Sequence, residues 1–295
     1  MKKKNVALTL GSGGARGLAH IGAIEELERR GYKITSISGC SIGSLIGGIY
    51  AAGKLSEARE WFSSLTLRQM LSLTDFSIGL SHLVKGDKVM EAIKEWVPDC
   101  LIEDLPIPVA LIASDMTTSK EVVFRSGWLF NAIRASISIP LCFEPVRVGE
   151  SLLVDGGLVN PLPLNRVERT GNDILIGINI SAECSMETQW RLPDAPSVLD
   201  KNKKIGEKVD KVWNTLSHAL NKEIPPHVNY LSMVMRTIDM QIQSNSRIMS
   251  EFMHPDVLVE LPMDSYMVFD FDKAEKIINH GQRLMSEALD KYENS

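Results

Sequence analysis

Two periods of apolar residues follow one another in the first fifty positions. An unbroken apolar run at 5–10 predicts a buried strand, and a short run at 34–38 predicts a second one. Over 18–30 and 42–52, apolar residues recur every three or four positions, as they do along one face of a helix. Strand, helix, strand and helix at this spacing predict a parallel sheet whose strands are joined by crossover helices.

The rest of the chain continues in both patterns. Further strands are predicted over 108–113, 121–124, 152–154, 173–180 and 256–261. Further helices are predicted over 55–67, 128–136, 208–220, 228–250 and 274–289. Residues 72–86 show no period, and a polar stretch at about 181–207 predicts a long loop. Because neither a repeat nor a linker interrupts the pattern, we expect one α/β domain over residues 5–290 with a helical C-terminal part.

Composition and charge narrow the class of protein. The 295 residues are 44% hydrophobic and 23% charged, as in ordinary globular proteins, and the net charge is -5. An acidic chain gives no support to a nucleic-acid partner, because proteins hold nucleic acids largely by neutralising phosphates. The four cysteines form no CxxC pair, which favours reduced thiols and a cytoplasmic location.

One uncharged segment, residues 34–53, has features of a membrane helix. Gly39, Gly43 and Gly47 stand at the spacing of small residues in paired membrane helices. The first half of the segment carries four hydroxyl side chains, however, and the two halves have different periods. A strand followed by a helix therefore explains the segment better than a membrane span.

The sequence GCSIG at 39–43 joins the second predicted strand to the second predicted helix. In a nucleophile turn of the GxSxG type, the serine hydroxyl projects from a tight bend and the neighbouring residues are small. Ser41 would be that serine, and the start of the helix would favour negative charge beside it. The motif alone is equally consistent with Ser41 as a helix N-cap, so both interpretations stay open at this point.

Glycines are concentrated around this turn, since eleven of the 21 lie between positions 11 and 53. The segment GSGGARG at 11–17 joins the first strand to the first helix. A dinucleotide site would need an acid at the end of the next strand, and a P-loop would need Gly-Lys-Ser or Gly-Lys-Thr; both are missing. An oxyanion hole built from the N–H groups of Gly13 and Gly14 fits better. Close packing of helix against sheet is the other open role, for Gly17 and Gly22.

A serine nucleophile needs a base, and none of the six histidines follows a strand in a turn of small residues. His20, near the glycine-rich segment, stays a candidate. Asp155 is a better one because it ends a strand and precedes two glycines, and a partly buried aspartate can take a serine proton directly. A turn-forming Asp-Gly pair is the alternative interpretation. Asp115 and Asp173 are rival acids that lack the paired glycines.

Together, these motifs resemble the patatin-like phospholipase family, whose members are serine lipid acyl hydrolases with a Ser–Asp dyad. The family's glycine-rich loop matches 12–17, its GxSxG turn matches 39–43, and its Asp-Gly-Gly motif matches 155–157. The run RASISIP at 134–140 resembles the family's helix that leads to a proline. The likeness covers about residues 5–180 and is strongest to the short bacterial branch related to neuropathy target esterase. Ser12 departs from the family, which usually has glycine there.

The resemblance implies a three-layer α/β/α fold with a mostly parallel central sheet, and it implies roles for particular residues. Asp155 would deprotonate Ser41, which attacks an ester carbonyl and forms an acyl-serine intermediate that water hydrolyses. Gly13 and Gly14 would form the oxyanion hole, and Arg16 would brace the loop or face a phosphate head group. The positions that would support these motifs are Ser12, Arg16, Gly17, Gly39, Gly43, Gly156 and Gly157. No metal or cofactor is implied.

Phospholipids, lysophospholipids or other lipid esters are the substrates that the resemblance implies, with peripheral membrane contact by an otherwise cytoplasmic protein. Residues 72–86 and the methionine-rich stretch 228–267 are predicted to form a lid or an acyl-chain groove. Two other functions stay open. One is an α/β-hydrolase esterase with a late histidine, and the other is a non-catalytic regulatory or lipid-binding protein that keeps the fold.

Overall fold

Strands and helices alternate from the start of the chain, as the two hydrophobic periods predict. The computed structural model describes residues 4–65, 69, 87–140, 142–184 and 230–295. The strands are β1 (Asn5–Leu10), β2 (Lys33–Cys40), β3 (Val109–Asp115), β4 (Lys120–Phe124), β5 (Val146–Val148), β6 (Ser151–Asp155), β7 (Ile174–Ala182) and β8 (Val257–Pro262). The helices are α1 (Ala19–Arg29), α2 (Ile42–Ala51), α3 (Leu55–Ser64), α4 (Asp87–Lys94), α5 (Leu129–Ser136), α6 (Tyr230–Met253) and α7 (Ala274–Asn294). Short 3₁₀ helices lie at Gly14–Leu18, Ile102–Asp104, Gly156–Leu158 and Phe271–Lys273.

The observed elements differ from the predicted ones mainly at their ends. The helix predicted over 55–67 ends at Ser64, and Ser181 and Ala182, predicted as loop, belong to β7. The pattern did not predict α4 or β5. The segments predicted at 72–86 and 208–220, and the 185–207 part of the predicted loop, lie outside the described residues.

The chain divides into two compact units, one of residues 1–184 and 242–295 and the other of residues 185–241. The eight strands named above all belong to the first unit. Of the second unit, the structure describes residues 230–241, which form the first half of α6. A single domain over residues 5–290 stays a prediction.

The sheet has a parallel centre and an antiparallel part around β3. β1 lies between β2 and β7 and is parallel to both, while β3 and β8 extend the parallel set on either side. β4 and β6 are antiparallel to β3, and β5 is antiparallel to β6. The central sheet is therefore mostly parallel, as the resemblance implies.

Two strands share one edge of β3 and meet end to end. β2 pairs with β3 up to Cys40, which lies opposite Ile112, and β6 continues from Asp155, which lies opposite Ala113. Because β4 pairs with β3 along 111–115, β2 and β6 must both lie on the other edge. The two strands run in opposite directions, so their last residues are neighbours. This topology brings the residue after Cys40, which is Ser41, beside Asp155.

Side chains that alternate along β1 enter two cores on opposite faces of the sheet. Leu8 belongs to the larger core, together with buried residues of α1, α2 and α7. Ala7 belongs to the smaller core with the 162–167 segment, and Met249 and Met253 of α6 pack against it. The sheet is thus the middle of three layers.

α1 and α7 cross where two glycines face the backbone of the other helix. A Cβ on Gly22 would lie 1.9 Å from the carbonyl oxygen of Ile278, and one on Gly281 would lie 2.0 Å from that of Ala19. Neither position can hold a side chain without moving backbone. Gly22 therefore packs against the C-terminal helix rather than against the sheet, the role left open for it by the sequence.

The uncharged segment at 34–53 forms β2, the turn at Ser41 and α2, as its change of period predicts. Within the part of the chain that the structure describes, no helix is long and apolar enough to cross a bilayer.

Candidate active site

Ser41 lies in a strained turn between β2 and α2. Its φ is 55°, in the left-handed region that residues with side chains rarely adopt. A Cβ on Gly39 would lie 2.4 Å from the Gly43 carbonyl oxygen, and one on Gly43 would lie 2.2 Å from the Leu10 carbonyl oxygen. Ser41 precedes α2, but its hydroxyl makes no capping hydrogen bond. The turn therefore has the geometry of a nucleophile elbow rather than of an N-cap.

The Ser41 hydroxyl donates a hydrogen bond to Oδ2 of Asp155. The other carboxylate oxygen, Oδ1, accepts the N–H of Gly157 at 2.7 Å. Ser41 is 2% exposed and Asp155 is 4% exposed. Burial raises the pKa of Asp155 to about 6, although the hydrogen bonds from Ser41 and Gly157 lower it in part. The carboxyl group is therefore a stronger base than an exposed aspartate, and it is ionised at neutral pH.

Backbone contacts hold Asp155 at the end of β6. Its N–H donates to the Ser138 carbonyl oxygen at 2.9 Å. A Cβ on Gly156 would lie 2.3 Å from the Ile112 carbonyl oxygen, and one on Gly157 would lie 3.0 Å from Oδ1 of Asp155. Gly156 and Gly157 are therefore glycines because β3 and the Asp155 carboxylate come too close to leave room for a side chain. An ordinary Asp-Gly turn does not require such close contacts.

The glycine-rich segment presents two backbone N–H groups that have no partner in the described parts of the chain. The N–H groups of Ser12 and Ala15 donate to carbonyl oxygens, whereas those of Gly13 and Gly14 make no hydrogen bond there. Gly14 has a φ of 59° and lines the same cavity as Ser41. Unpaired N–H groups beside a nucleophile are what an oxyanion hole requires.

Ser12 and Gly17 hold the segment at its two ends. The Ser12 carbonyl oxygen accepts the hydroxyl of Ser181 at 2.7 Å. A Cβ on Gly17 would lie 2.3 Å from two side-chain carbons of Ile42. Gly17 therefore packs against the first residue of α2, rather than against the sheet as the alternative role would have it.

Arg16 is a buried side chain that ties the glycine-rich segment to two other parts of the first unit. Its Nε donates to the Ile180 carbonyl oxygen at 2.8 Å, and Nη1 donates to those of Met263 at 3.1 Å and Tyr266 at 3.0 Å. The residue is 3% exposed, so it has no surface for a phosphate head group. Of the two roles expected for Arg16, the structure favours the brace.

Two of the described histidines, His20 and His280, make contacts away from the Ser41 hydroxyl. His20 is fully buried, and its Nε2 donates to the Gly11 carbonyl oxygen at 2.9 Å. Burial lowers the pKa of His20 to about 4, although that hydrogen bond raises it in part. His280 contacts the hydroxyl of Tyr266 at 3.1 Å. Three further histidines lie outside the described residues: His82, His218 and His227.

The rival acids are engaged in turns. Burial raises the pKa of Asp115, but hydrogen bonds from the Ser151 hydroxyl and from residues of the β3–β4 turn outweigh this and lower it to about 2. Asp173 accepts Arg169 Nε at 2.6 Å and the Thr170 hydroxyl at 2.8 Å. Neither acid is a hydrogen-bond partner of Ser41.

Two buried serines support the turn, and the sequence motifs did not indicate their role. The Ser136 hydroxyl, at the end of α5, accepts the N–H of Ser41 at 2.9 Å and donates to the Ile112 carbonyl oxygen. The Ser44 hydroxyl donates to the Gly39 carbonyl oxygen at 2.8 Å and lies 2.7 Å from Ser136 Oγ. The signal in the sequence was a hydroxyl residue three positions after Ser41, which many helices also carry.

An apolar cavity of about 140 Å³ opens beside Ser41. Apart from Gly14 and Ser41, its lining residues are aliphatic or aromatic, and they come from α2, from α3 and the residue after it, from α4, and from positions 137, 139, 143, 268, 269 and 271. Met263 is in the core, and Met249 and Met253 pack on the other face of the sheet, so these three methionines do not line the cavity. A methionine groove is therefore not observed at these three residues, and aromatic side chains line the cavity beside Ser41. Residues 72–86, also predicted as lid or groove, lie outside the described residues.

Comparison with known proteins shows the family. Residues 8–167 match the family model described as patatin-like phospholipase. The chain belongs to the patatin-like phospholipase family. The matched range contains the glycine-rich segment, the Ser41 turn and Asp155, so the resemblance carried by these motifs is confirmed. Members of this family are in general hydrolases that act on lipid esters.

The match to relatives extends over nearly the whole chain. An uncharacterized NTE family protein of Mycobacterium tuberculosis is 32% identical over 98% of this chain and 92% of its own length. Human patatin-like phospholipase domain-containing protein 6 is 31% identical over 94% of this chain and 20% of its own length. A crystal structure of VipD from Legionella pneumophila aligns with 99% of this chain and 67% of its own, at 12% identity and a TM-score of 0.48.

Proposed function

We propose that this patatin-like protein is a serine hydrolase of lipid esters, of the phospholipase A, lysophospholipase or esterase type. The observation that carries the proposal is the hydrogen bond from the Ser41 hydroxyl to the buried carboxylate of Asp155. A base must lie within hydrogen-bond reach of the proton it removes and have a pKa near the working pH. Asp155 meets both conditions, since its pKa is raised to about 6.

The geometry supports a two-step reaction. Ser41 Oγ attacks the ester carbonyl carbon as its proton passes to Asp155 Oδ2, and the protonated Asp155 then gives this proton to the departing alcohol oxygen. The resulting acyl-Ser41 is hydrolysed by a water that transfers a proton to Asp155. When the fatty acid leaves, Ser41 Oγ takes the proton back, and both side chains return to their starting state.

The surroundings of Ser41 supply the two other requirements of the reaction. The N–H groups of Gly13 and Gly14 would stabilise the oxyanion, and losing one such donor typically costs about 10²- to 10³-fold in turnover. The apolar cavity would hold the acyl chain, because its aliphatic and aromatic walls offer no partner for a polar head group.

Labelling with a fluorophosphonate probe tests the proposal. We expect the folded wild-type protein to form a covalent adduct, the Ser41→Ala variant to form none, and the Asp155→Asn variant to react at least about 10²-fold more slowly, because its nucleophile has lost its base. Ser36→Ala is a matched control, since Ser36 lies on β2 and is buried away from the turn. Absence of labelling in folded wild type would favour the non-catalytic alternative instead.

We propose that the turn between β8 and α7 contacts a lipid surface through residues 267–269, the apolar tip of the turn. Met267 and Phe269 are 55% and 47% exposed, and Phe269 also lines the cavity. The Val268 carbonyl oxygen accepts the N–H of Ala15 at 2.8 Å, which joins this turn to the glycine-rich segment. An apolar tip that continues into an apolar cavity offers an acyl chain a path without polar contacts. Asp270 and Asp272 beside the tip, and the net charge of -5, favour a zwitterionic surface over an anionic one.

Cosedimentation with phosphatidylcholine vesicles tests this contact. We expect Met267→Ser to weaken vesicle binding by about 5- to 10-fold, since the tip loses an apolar side chain that lipid would bury. Trp128→Ser is the matched control, because it also removes a large exposed apolar side chain, which is 53% exposed. Trp128 lies at the start of α5, about 12 Å along the helix from the end that contacts Ser41. Equal binding by wild type and Met267→Ser, or equal losses in both variants, would contradict the contact.

A further inference from the structure

The strand β2 leaves the edge of β3 at Ser41, and this departure creates an unusual need for a hydrogen-bond partner. The last paired residue of β2 is Cys40, opposite Ile112. The next N–H, that of Ser41, is buried and belongs to a residue with a φ of 55°. An unpaired buried N–H is costly, so the turn is stable only if another group accepts this hydrogen bond.

The hydroxyl of Ser136 fills the gap between the two strands. It accepts the Ser41 N–H at 2.9 Å and donates to the carbonyl oxygen of Ile112, so one hydroxyl bridges the end of β2 to β3. Ser136 has no exposed surface, which excludes water as an easy substitute. Two residues later, the Ser138 carbonyl oxygen accepts the N–H of Asp155 at 2.9 Å. The end of α5 thus binds the backbone of both Ser41 and Asp155.

We propose that Ser136 is a positioning residue, whose hydroxyl holds the Ser41 backbone in the conformation that aims Oγ at Asp155 and at the ester carbonyl. The inference rests on the proposed function of the Ser41–Asp155 pair. Ser136 does not line the cavity and makes no hydrogen bond to either reacting side chain. Its loss is therefore expected to slow the reaction of Ser41 without weakening the binding of the acyl chain.

The rate of acylation separates this role from a merely structural one. In Ser136→Ala we expect labelling by a fluorophosphonate to slow by about 10- to 100-fold, since small displacements of a nucleophile cost that much. We expect kcat to fall with it while KM for a lipid ester stays unchanged. Ser136→Cys keeps a weak acceptor of nearly the same size and should react at an intermediate rate.

Ser36→Ala is the matched control for stability. Ser36 is buried on β2, and its hydroxyl donates to the Glu168 carbonyl oxygen, so its loss also removes one buried hydrogen bond. Urea unfolding should show a similar loss of stability in both alanine variants, with slow acylation in Ser136→Ala alone. If Ser136→Ala does not fold, Ser136→Cys provides the comparison.

Two results would overturn the inference, and they are distinguishable. Wild-type labelling rates in folded Ser136→Ala or Ser136→Cys would overturn the positioning role and leave the proposed function intact. A folded wild-type protein that does not react with the probe would overturn the proposed function and the positioning role together.

Discussion

Replacing Asp155 by asparagine is expected to lower kcat/KM for a lipid ester by about 10³- to 10⁴-fold and, at the same time, to make the protein more stable at pH 8. Both effects arise from one buried carboxylate. Asparagine keeps the size of the side chain: its amide oxygen can accept the Gly157 N–H and its NH₂ group can donate to Ser41 Oγ, but it cannot take the proton. The activity is therefore lost without loss of the fold.

The pH dependence of the wild-type enzyme follows from the same group. kcat/KM is expected to rise with pH through about 6 and to level off above it, because only ionised Asp155 can accept the proton of Ser41. The neighbouring thiols do not titrate in this range. Burial, together with the charge of Asp155, raises the pKa of Cys142 to about 11 and that of Cys40 well above its usual value.

The stability effect follows from the sign of the pKa shift. The folded state holds the Asp155 proton more tightly than the unfolded chain, because burial raises the pKa from 3.8 to about 6. The wild-type free energy of unfolding therefore falls as pH rises from about 4 to about 6, by roughly 3 kcal/mol at most. Asparagine does not titrate. The gain in free energy of unfolding of Asp155→Asn over wild type is therefore absent below pH 4 and complete above about pH 6.

Urea unfolding of both proteins at pH 4 and pH 8 measures this difference. Asp115→Asn is a matched control with the opposite expected sign, since the hydrogen bonds to its carboxylate hold its pKa at about 2 and stabilise the folded state at neutral pH. An Asp155→Asn variant that is less stable than wild type at pH 8 would contradict the burial argument. Retained turnover in that variant would contradict the role of Asp155 as base.

The local parts of the site could be predicted because each depends on a short stretch of sequence. A strand followed by GCSIG and a helix leads to the Ser41 turn, and a strand followed by Asp-Gly-Gly leads to Asp155. The separation of Ser41 and Asp155 in the sequence does not predict that the two side chains are in contact. That contact depends on β6 pairing with β3 in the antiparallel direction, directly beyond the end of β2. Only the family resemblance joined the two motifs before the topology was known.

Other features depended on partners that lie far away in the sequence. In the sequence, Gly22 resembles any other glycine within a helix. The position requires glycine because the backbone of α7, some 250 positions later, packs against it. Ser136 resembles any serine at a helix end until β2 is placed beside it. The short elements α4 and β5 lack enough residues to show a period. Tertiary contacts, rather than local propensity, decide each of these cases.

Replacing Gly43 by alanine is expected to destabilise the protein by about 3 kcal/mol or more and to abolish fluorophosphonate labelling of what remains folded. The added Cβ would lie 2.2 Å from the carbonyl oxygen of Leu10 and 2.9 Å from that of Gly11. Both atoms are backbone at the end of the central strand β1, where no rotamer change can make room. To accept the methyl group, α2 would have to move away from β1 and take Ser41 with it, away from Asp155.

Gly47→Ala is the matched control, because it lies one helical turn later in α2. Its Cβ would meet side-chain atoms, at 2.8 Å from Ile37 Cγ2 and 3.3 Å from Leu10 Cδ1, so the Ile37 side chain must shift but no backbone atom stands in the way. Alanine also favours a helix over glycine by about 1 kcal/mol. We therefore expect Gly47→Ala to remain within about 1 kcal/mol of wild type in urea unfolding and to keep its labelling. Equal stability and equal labelling in the two variants would show that α2 can move away from β1 without disturbing Ser41, contrary to the close contact on which the turn depends.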